Sequence, residues 1–283
     1  MGILGIDLGG TNIRVGLVED NNLVKVESSA VRKNSSETEV LCNMYDLIDR
    51  FGNNEIEVIG IGVPSVVNVE KGIVYDLQNI PSWKEVCLKD LLQAKYNVPC
   101  YVNNDANCFA VGEKYFGKAK GYNSIVGLIA GTGLGAGIIV NGQLYAGKNC
   151  GAGEFGMLPF KDNNYERYCS GQFFVNEHHT TGEELAKRAR NGDLTAIEIF
   201  NEFGRNFGEA IKAVMYTIDP EIIVLGGSVS KSFALFKDQM LKAISTFGYS
   251  NSVSNLKIEV SEAANVAILG AAALYYDEQN RLG

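Results

Sequence analysis

No stretch of this 283-residue chain approaches the roughly 18 to 20 consecutive apolar residues that cross a bilayer. The amino terminus lacks the basic, apolar and small-residue segments of a secretory signal, because Asp7 interrupts its apolar residues at once, and a cytoplasmic location is expected. Prolines number only 5 and no tripeptide repeats, which excludes collagen-like and low-complexity chains, while 46% hydrophobic residues exclude disorder. The cysteines (Cys42, Cys87, Cys100, Cys108, Cys150 and Cys169) form no CxxC or CxC pair, so a zinc ribbon or redox motif is excluded. They are expected to be buried thiols in a reducing compartment. Lys and Arg total 25 against 33 Asp and Glu, a net charge of −8, and are nowhere clustered. A nucleic-acid or anionic-membrane surface needs a positive footprint, so neither partner is expected and small molecules are. The Walker A pattern GxxxxGK[ST] is also absent.

What is present is an alternation of strand-like and helix-like segments. GILGIDL is a short apolar run followed by Gly9-Gly10, and NIRVGLVED and NNLVKVESS are two further strand-like stretches parted by Asn21-Asn22. Together they predict a three-strand antiparallel meander. Residues 37–51 carry apolar positions at helical spacing, and EVIGIGVPSVV reads as one continuous buried strand running into Pro64. VCLKDLLQAKY predicts a helix, PCYVNN a strand, and DANCFAVGEKYF a helix opening on an acidic cap, so the chain to about residue 115 reads βββαβαβα. The second half opens the same way, with two strand-like runs around GTGLGAG and a hairpin at Asn141-Gly142. Residues 147–176 read as irregular. Helices follow over ELAKRARN, from about Ala196 to Thr217, and over SFALFKDQMLKAISTF, with strands at EIIVLGGSVS and LKIEVSE and a closing Ala-rich helix, NVAILGAAALYYDEQ. Two αβ halves that each begin with a glycine-turn hairpin indicate a duplicated α/β architecture with a cleft between the halves.

Three glycine turns stand at predicted strand ends. In Asp7-Leu8-Gly9-Gly10-Thr11-Asn12 a carboxylate ends a buried strand, two glycines turn the chain and a hydroxyl follows; this is either a plain hairpin turn or a backbone cradle for phosphate, with Asp7 near an accompanying metal. Gly131-Thr132-Gly133-Leu134-Gly135-Ala136 contains GxGxxA, but the helix that a dinucleotide fold needs next is replaced by strand and hairpin. A second phosphate cradle is the remaining reading, with Thr132 as a hydroxyl donor. Gly226-Gly227 ends a buried strand before a helix, which suits the close approach of a flat ligand such as adenine. Asp105, in Asn103-Asn104-Asp105-Ala106-Asn107, lies at a strand-to-helix junction as either a helix cap or a general base. In phosphoryl transfer the protein mainly positions the reactants, and one carboxylate accepts the proton of the attacking hydroxyl.

The elements GIDLGGTNIRVGL, GIGVPSVV, VNNDAN, GTGLGAGII, GAGEFG, YCSG, DPEIIVLGGSVS and NVAILGAAAL, in this order over nearly the whole chain, resemble the ROK family of sugar kinases and sugar-responsive repressors. The resemblance implies two actin-like (ribonuclease H-like) αβ domains with an inter-domain cleft, where ATP phosphorylates a sugar hydroxyl. The expected division is a sugar and phosphate domain over 1–115, with a helix over about 268–283 packing back on it, and a nucleotide-binding and dimerisation domain over 116–267. By resemblance Gly9, Gly10, Thr11 and Asn12 form the first phosphate loop and Gly131, Thr132 and Gly133 the second, Gly226 and Gly227 border the nucleotide, and Asp7 lies near Mg²⁺, through water. Asp105 matches the catalytic base; Asn79, Asn104, Glu154 and Glu166 match sugar contacts. A homodimer is implied.

The chain departs from the family at Met157, which stands where the family has a His that is both zinc ligand and sugar contact, and the zinc segment C-x-C-G-x-x-G-C is missing. No zinc is therefore expected, and Cys150 and Cys169 read as packing residues. Glucose is the expected acceptor, at its 6-hydroxyl; the alternatives are fructose, allose, mannose or an N-acetylhexosamine, or a sugar sensor without chemistry. Family repressors place a helix-turn-helix before the first loop, which here begins at Asp7, so DNA binding is not expected. His178 and His179 read as an exposed loop pair, and Trp83 as core or rim packing beside the Asn79 loop.

Overall fold

The amino-terminal meander forms as its turn chemistry requires. A computed structural model of the protein describes residues 1–32, 35–52, 56–77 and 80–282. Strands β1 (Ile3–Leu8), β2 (Asn12–Glu19) and β3 (Asn22–Ala30) pair antiparallel in sequence order. The β2–β3 turn puts Asp20 and Asn21 at positive φ, which a short polar side chain tolerates. Helix α1 (Glu37–Ile48) starts on a capping box between Ser36 and Glu39 and buries one stripe, Val40, Leu41, Met44, Leu47 and Ile48. Strand β4 (Val58–Val63) is buried along its length and ends before Pro64. The continuous strand expected there is interrupted: Val66–Asn68 (β5) leaves the main sheet and pairs antiparallel with β6 (Ile73–Tyr75), which pairs with β7 (Glu85–Val86). Proline has no N–H to give to a ladder, so the break falls where the ladder would have needed one. Helix α2 (Leu88–Tyr96), strand β8 (Cys100–Asn104) and helix α3 (Asp105–Phe116) complete the βββαβαβα order.

The later elements repeat the plan. Strands β9 (Ile125–Ala130), β10 (Leu134–Val140) and β11 (Gln143–Leu144) follow, with Asn141 and Gly142 both at positive φ in the β10–β11 turn, as an Asn-Gly hairpin requires. The stretch expected to be irregular holds a small hairpin, β12 (Pro159–Phe160) with β13 (Asn163–Asn164), and two short helices, α4 (Tyr165–Cys169) and α5 (Gly171–His178). Asn164 and Ser170 cap these helices, a local signal that the glycine and asparagine content of the segment obscured. Then come α6 (Gly182–Arg190), α7 (Leu194–Ile218), β14 (Ile222–Gly226), α8 (Phe233–Ile244), α9 (Ser250–Asn255), β15 (Lys257–Val260) and α10 (Val266–Leu282).

Two compact units result, one of residues 1–121, 137–152 and 262–283, the other of residues 122–136 and 153–261. In the first, the sheet order is β3-β2-β1-β4-β8, with β1, β4 and β8 parallel. In the second, β10-β9-β14-β15 has β9, β14 and β15 parallel, and β10 runs at its end into the first unit, where it pairs with β11. Both sheets follow the actin-like order. The first core joins Leu4, Ile6, Ile13, Met44, Ile59, Ile61 and Trp83, all without exposed surface. Helix α10 seats on this sheet and on α3 at glycines: a Cβ on Gly60 would collide with the Ala271 carbonyl, and one on Gly270 with the Cys108 carbonyl. The second core is aromatic, with Phe173 and Phe174 of α5 against Phe200, Phe203 and Phe207 of α7 and Phe236 of α8. Each such ring contributes about 1.5–3 kcal/mol by burial.

Four cysteines are buried as expected, but Cys42 and Cys87 are exposed. Cys42 falls off the buried stripe of α1, and Cys87 stands between β7 and α2. Among the described residues no helix is long and apolar enough to cross a membrane.

Candidate active site

Parallel sheets gather functional loops at the carboxyl ends of their strands, where successive chain turns meet. In the first unit, Asp7 of β1 is in register with Gly62 of β4, and Gly62 with Asn103 of β8. Asp7 and Asn103 are therefore two strand spacings apart, roughly 10 Å. Beyond Asp7, Gly9 donates to the Asn12 carbonyl at 2.9 Å and closes the turn, leaving Thr11 exposed at its tip. The segment is thus a hairpin turn and, at the same time, a loop able to offer a hydroxyl and backbone N–H groups. Asp7 Oδ2 accepts from Arg14 Nε at 3.0 Å and from its terminal nitrogen at 2.6 Å, across the β1–β2 register. Sequence reasoning did not single out Arg14, although Asp7 and Arg14 stand opposite each other in the hairpin it predicted.

The β8–α3 junction shows which side chains meet the first helical N–H groups. The cap is Asn104, whose Oδ1 accepts from Ala106 N–H at 2.8 Å while its amide donates to the Ser65 carbonyl. Asp105 is the first helical residue, and its Oδ1 accepts from the same Ala106 N–H at 2.8 Å. Ala106 N–H is thus shared between the two side chains, and the Asp105 carboxylate sits at the carboxyl edge of the sheet near the positive end of a helix dipole. Asn79 lies outside the described residues. Trp83 is fully buried, and its Nε1 finds no hydrogen-bond partner among the described residues.

In the second unit the loop after β9 is closed by Gly131 N–H donating to the Gly133 carbonyl at 2.9 Å. A cavity of about 870 Å³ opens beside it, walled by Gly131, Thr132, Gln172, Arg190, Ser228 and Lys231 among others. Gly226 is buried at the end of β14, in register with Ile129, and Gly227 turns the chain at φ +84° beside the Ala130 carbonyl, so the wall is made by the residues that follow them. Two cations, Arg190 and Lys231, outnumber the one carboxylate on the wall, Glu183, and this balance suits an anionic ligand. Of these wall residues Ser228 stands in the GGSVS motif; Arg190, Lys231 and Gln172 carry no local signal.

Glu154 and Glu166 belong to this unit. Glu154 precedes a turn of 3₁₀-helix at Phe155–Met157. The residue as a whole stays accessible to solvent, yet desolvation of its carboxyl, and then the charge of Glu166, raise its pKa above 4.5. Glu166 is bonded to the second glycine loop, accepting from Leu134 N–H at 3.0 Å. Met157 is 52% exposed. The short hairpin after it is held by its own aromatic contacts: Phe160 stacks on Tyr165 at 4.6 Å, Lys161 covers the Tyr168 ring at 4.7 Å, and the Tyr168 hydroxyl bonds Asp162, which pushes the phenol up to about 12. Cys169 is fully buried, and desolvation pushes its thiol far up. Among the described residues no group of three or more His, Cys, Asp or Glu could hold a metal ion. His178 is not an exposed loop residue: it ends α5 with its ring 4.9 Å from Phe173, and only His179 is exposed.

The fold defines an actin-like α/β protein with glycine turns at the strand ends of both units. The chain belongs to the ROK family, whose model matches residues 3–278. It is 27% identical to a glucokinase of Thermotoga maritima over 96% of each chain, and 27% identical to a xylose repressor of Bacillus subtilis over 97% of this chain and 77% of the repressor. A ROK family glucokinase from Streptomyces griseus, solved with glucose and AMPPNP, superimposes with a TM-score of 0.80 at 24% identity, covering 97% of this chain and 99% of that one.

Proposed function

We propose that the protein is an ATP-dependent sugar kinase that transfers the γ-phosphate to a hexose hydroxyl, most simply the 6-hydroxyl of glucose. The observation that carries this reading is the 870 Å³ cavity, walled by the Gly131–Thr132 turn together with Arg190 and Lys231. Its volume lies within the range of small-molecule sites, and a glycine turn with two cations matches a polyphosphate better than it matches a neutral ligand.

Backbone N–H groups of the Gly131–Gly133 turn and of Gly9–Thr11 hold phosphate oxygens. Asp105 accepts the proton of the attacking hydroxyl, and Asn104, fixed by its bond to the Ser65 carbonyl, positions the sugar beside it. Asp7 fits a hydrated Mg²⁺, because Arg14 engages Oδ2 and leaves Oδ1 to accept from a metal-bound water; Mg²⁺ when bound neutralises phosphate charge. Glu154 and Glu166 accept sugar hydroxyls. Structural zinc is not needed, since the aromatic hairpin at Phe160, Tyr165 and Tyr168 holds the segment between the two glutamates.

An ADP-release assay with MgATP tests this against glucose, mannose, fructose, allose, N-acetylglucosamine and N-acetylmannosamine, with and without a zinc-selective chelator. Turnover of one or two sugars, unchanged by the chelator, is expected. Sugar binding without turnover on the whole panel would refute the kinase in favour of a sensor. Acidification provides a second check. A carboxyl whose pKa is raised takes up its proton earlier as pH falls, so Glu154 loses its charge, and with it the stronger bond to a sugar hydroxyl, sooner than an ordinary glutamate does. KM for the sugar should rise as that charge is lost, and Glu154→Gln should abolish that inflection; an unchanged profile in the variant removes Glu154 from the sugar site.

A further inference from the structure

The segment Glu166–Gln172 is bound to the second glycine loop at both of its ends. Glu166 Oε2 accepts from Leu134 N–H at 3.0 Å, and its Oε1 accepts from the side-chain amide of Gln172 at 2.9 Å. Gly171 N–H donates to the Gly131 carbonyl at 2.7 Å, and the Ser170 hydroxyl lies 2.7 Å from the Glu166 carbonyl and 3.2 Å from that of Thr132. The loop has room for this because Gly133 has no Cβ: a Cβ there would meet Glu166 Oε2 at 2.5 Å. Gln172 in turn lines the cavity. The sequence match assigns Glu166 to the sugar alone; nothing in it concerns the phosphate loop.

We propose that Glu166 is also the positioning residue for the phosphate loop Gly131–Leu134, so that one carboxylate serves both substrates. This rests on reading the cavity as the nucleotide site. A carboxylate has about four acceptor positions, so it can hold Leu134 N–H and the Gln172 amide and still accept a sugar hydroxyl. A loop of glycines has little stiffness of its own, and an acceptor at its Leu134 end limits the conformations its N–H groups sample before phosphate arrives.

The test measures binding of AMPPNP and of adenosine, separately, to sugar-free protein, where a role of Glu166 in sugar contact is silent. Glu166→Ala should weaken AMPPNP about tenfold, the loss of a charge-assisted hydrogen bond to a partly buried loop, and leave adenosine within about twofold. Gln172→Met, a milder change, should weaken AMPPNP in the same direction. Glu166→Gln should restore AMPPNP binding, because its amide oxygen accepts from Leu134 N–H and a turned-over Gln172 amide accepts from its nitrogen, while sugar affinity stays low without the charge. Unchanged AMPPNP affinity in both Glu166→Ala and Gln172→Met overturns the proposal, as does an equal loss of adenosine, which would indicate collapse of the cavity. If the unmodified protein binds neither probe, the nucleotide reading itself fails.

Discussion

Replacing Asp105 by Ala lowers kcat by at least about 100-fold and leaves the sugar KM within a few-fold, if its carboxylate is the base that takes the hydroxyl proton. Asn104, not Asp105, caps α3, so the helix start survives, and the Ala106 N–H that Asp105 accepts at 2.8 Å keeps Asn104 Oδ1 as an alternative acceptor. Loss of stability should stay below about 1 kcal/mol, near the low end for a weakened helix start. Asp105→Asn supplies the control, since an amide oxygen keeps the local hydrogen bond but cannot take a proton. Steady-state kinetics and thermal melting of both variants separate chemistry from folding. Near-normal turnover in either variant removes the base assignment.

Gly227→Ala should damage both stability and nucleotide use. The residue holds φ at +84°, a region that costs a side-chain-bearing residue about 1–3 kcal/mol, and its new Cβ would collide with the Ala130 carbonyl. Ala130 ends β9 immediately before the Gly131 turn, so relief of the collision must displace either that turn or the strand. A fall of about 5 °C or more in melting temperature is expected for a chain of this size, with a rise of at least about tenfold in KM for ATP. Gly227→Asn discriminates the causes, because Asn tolerates positive φ but still carries a Cβ; it should be nearly as harmful as Ala. Wild-type melting and KM in Gly227→Ala would show that the turn is not needed in this form.

Much of this molecule follows from local chemistry. The glycine-turn hairpins, the Asn141-Gly142 turn, the amphipathic stripe of α1 and the Ala-rich α10 are each legible because period, cap and turn residue agree along a few consecutive positions. The order of motifs from Asp7 to the last helix likewise points to the family. Where the reading failed, the cause was tertiary or a cap masked by composition: Pro64 diverts what reads as one strand into a second small sheet, Cys42 is exposed by falling off a stripe, and α4 and α5 start on caps inside a glycine-rich stretch.

The α/β class, the family and Asp105 as candidate base are all legible in the order of residues along the chain. It takes the three-dimensional arrangement to show that Arg14 holds Asp7, that Arg190, Gln172, Ser228 and Lys231 share one cavity with Thr132, and that Glu166 is tied to the second glycine loop. The physical reason is range. Turn and cap preferences are set by neighbours a few residues away, whereas Leu134 and Glu166, or Thr132 and Lys231, meet only because strand register and helix packing bring distant segments together, and no local pattern records which N–H will face which carboxylate.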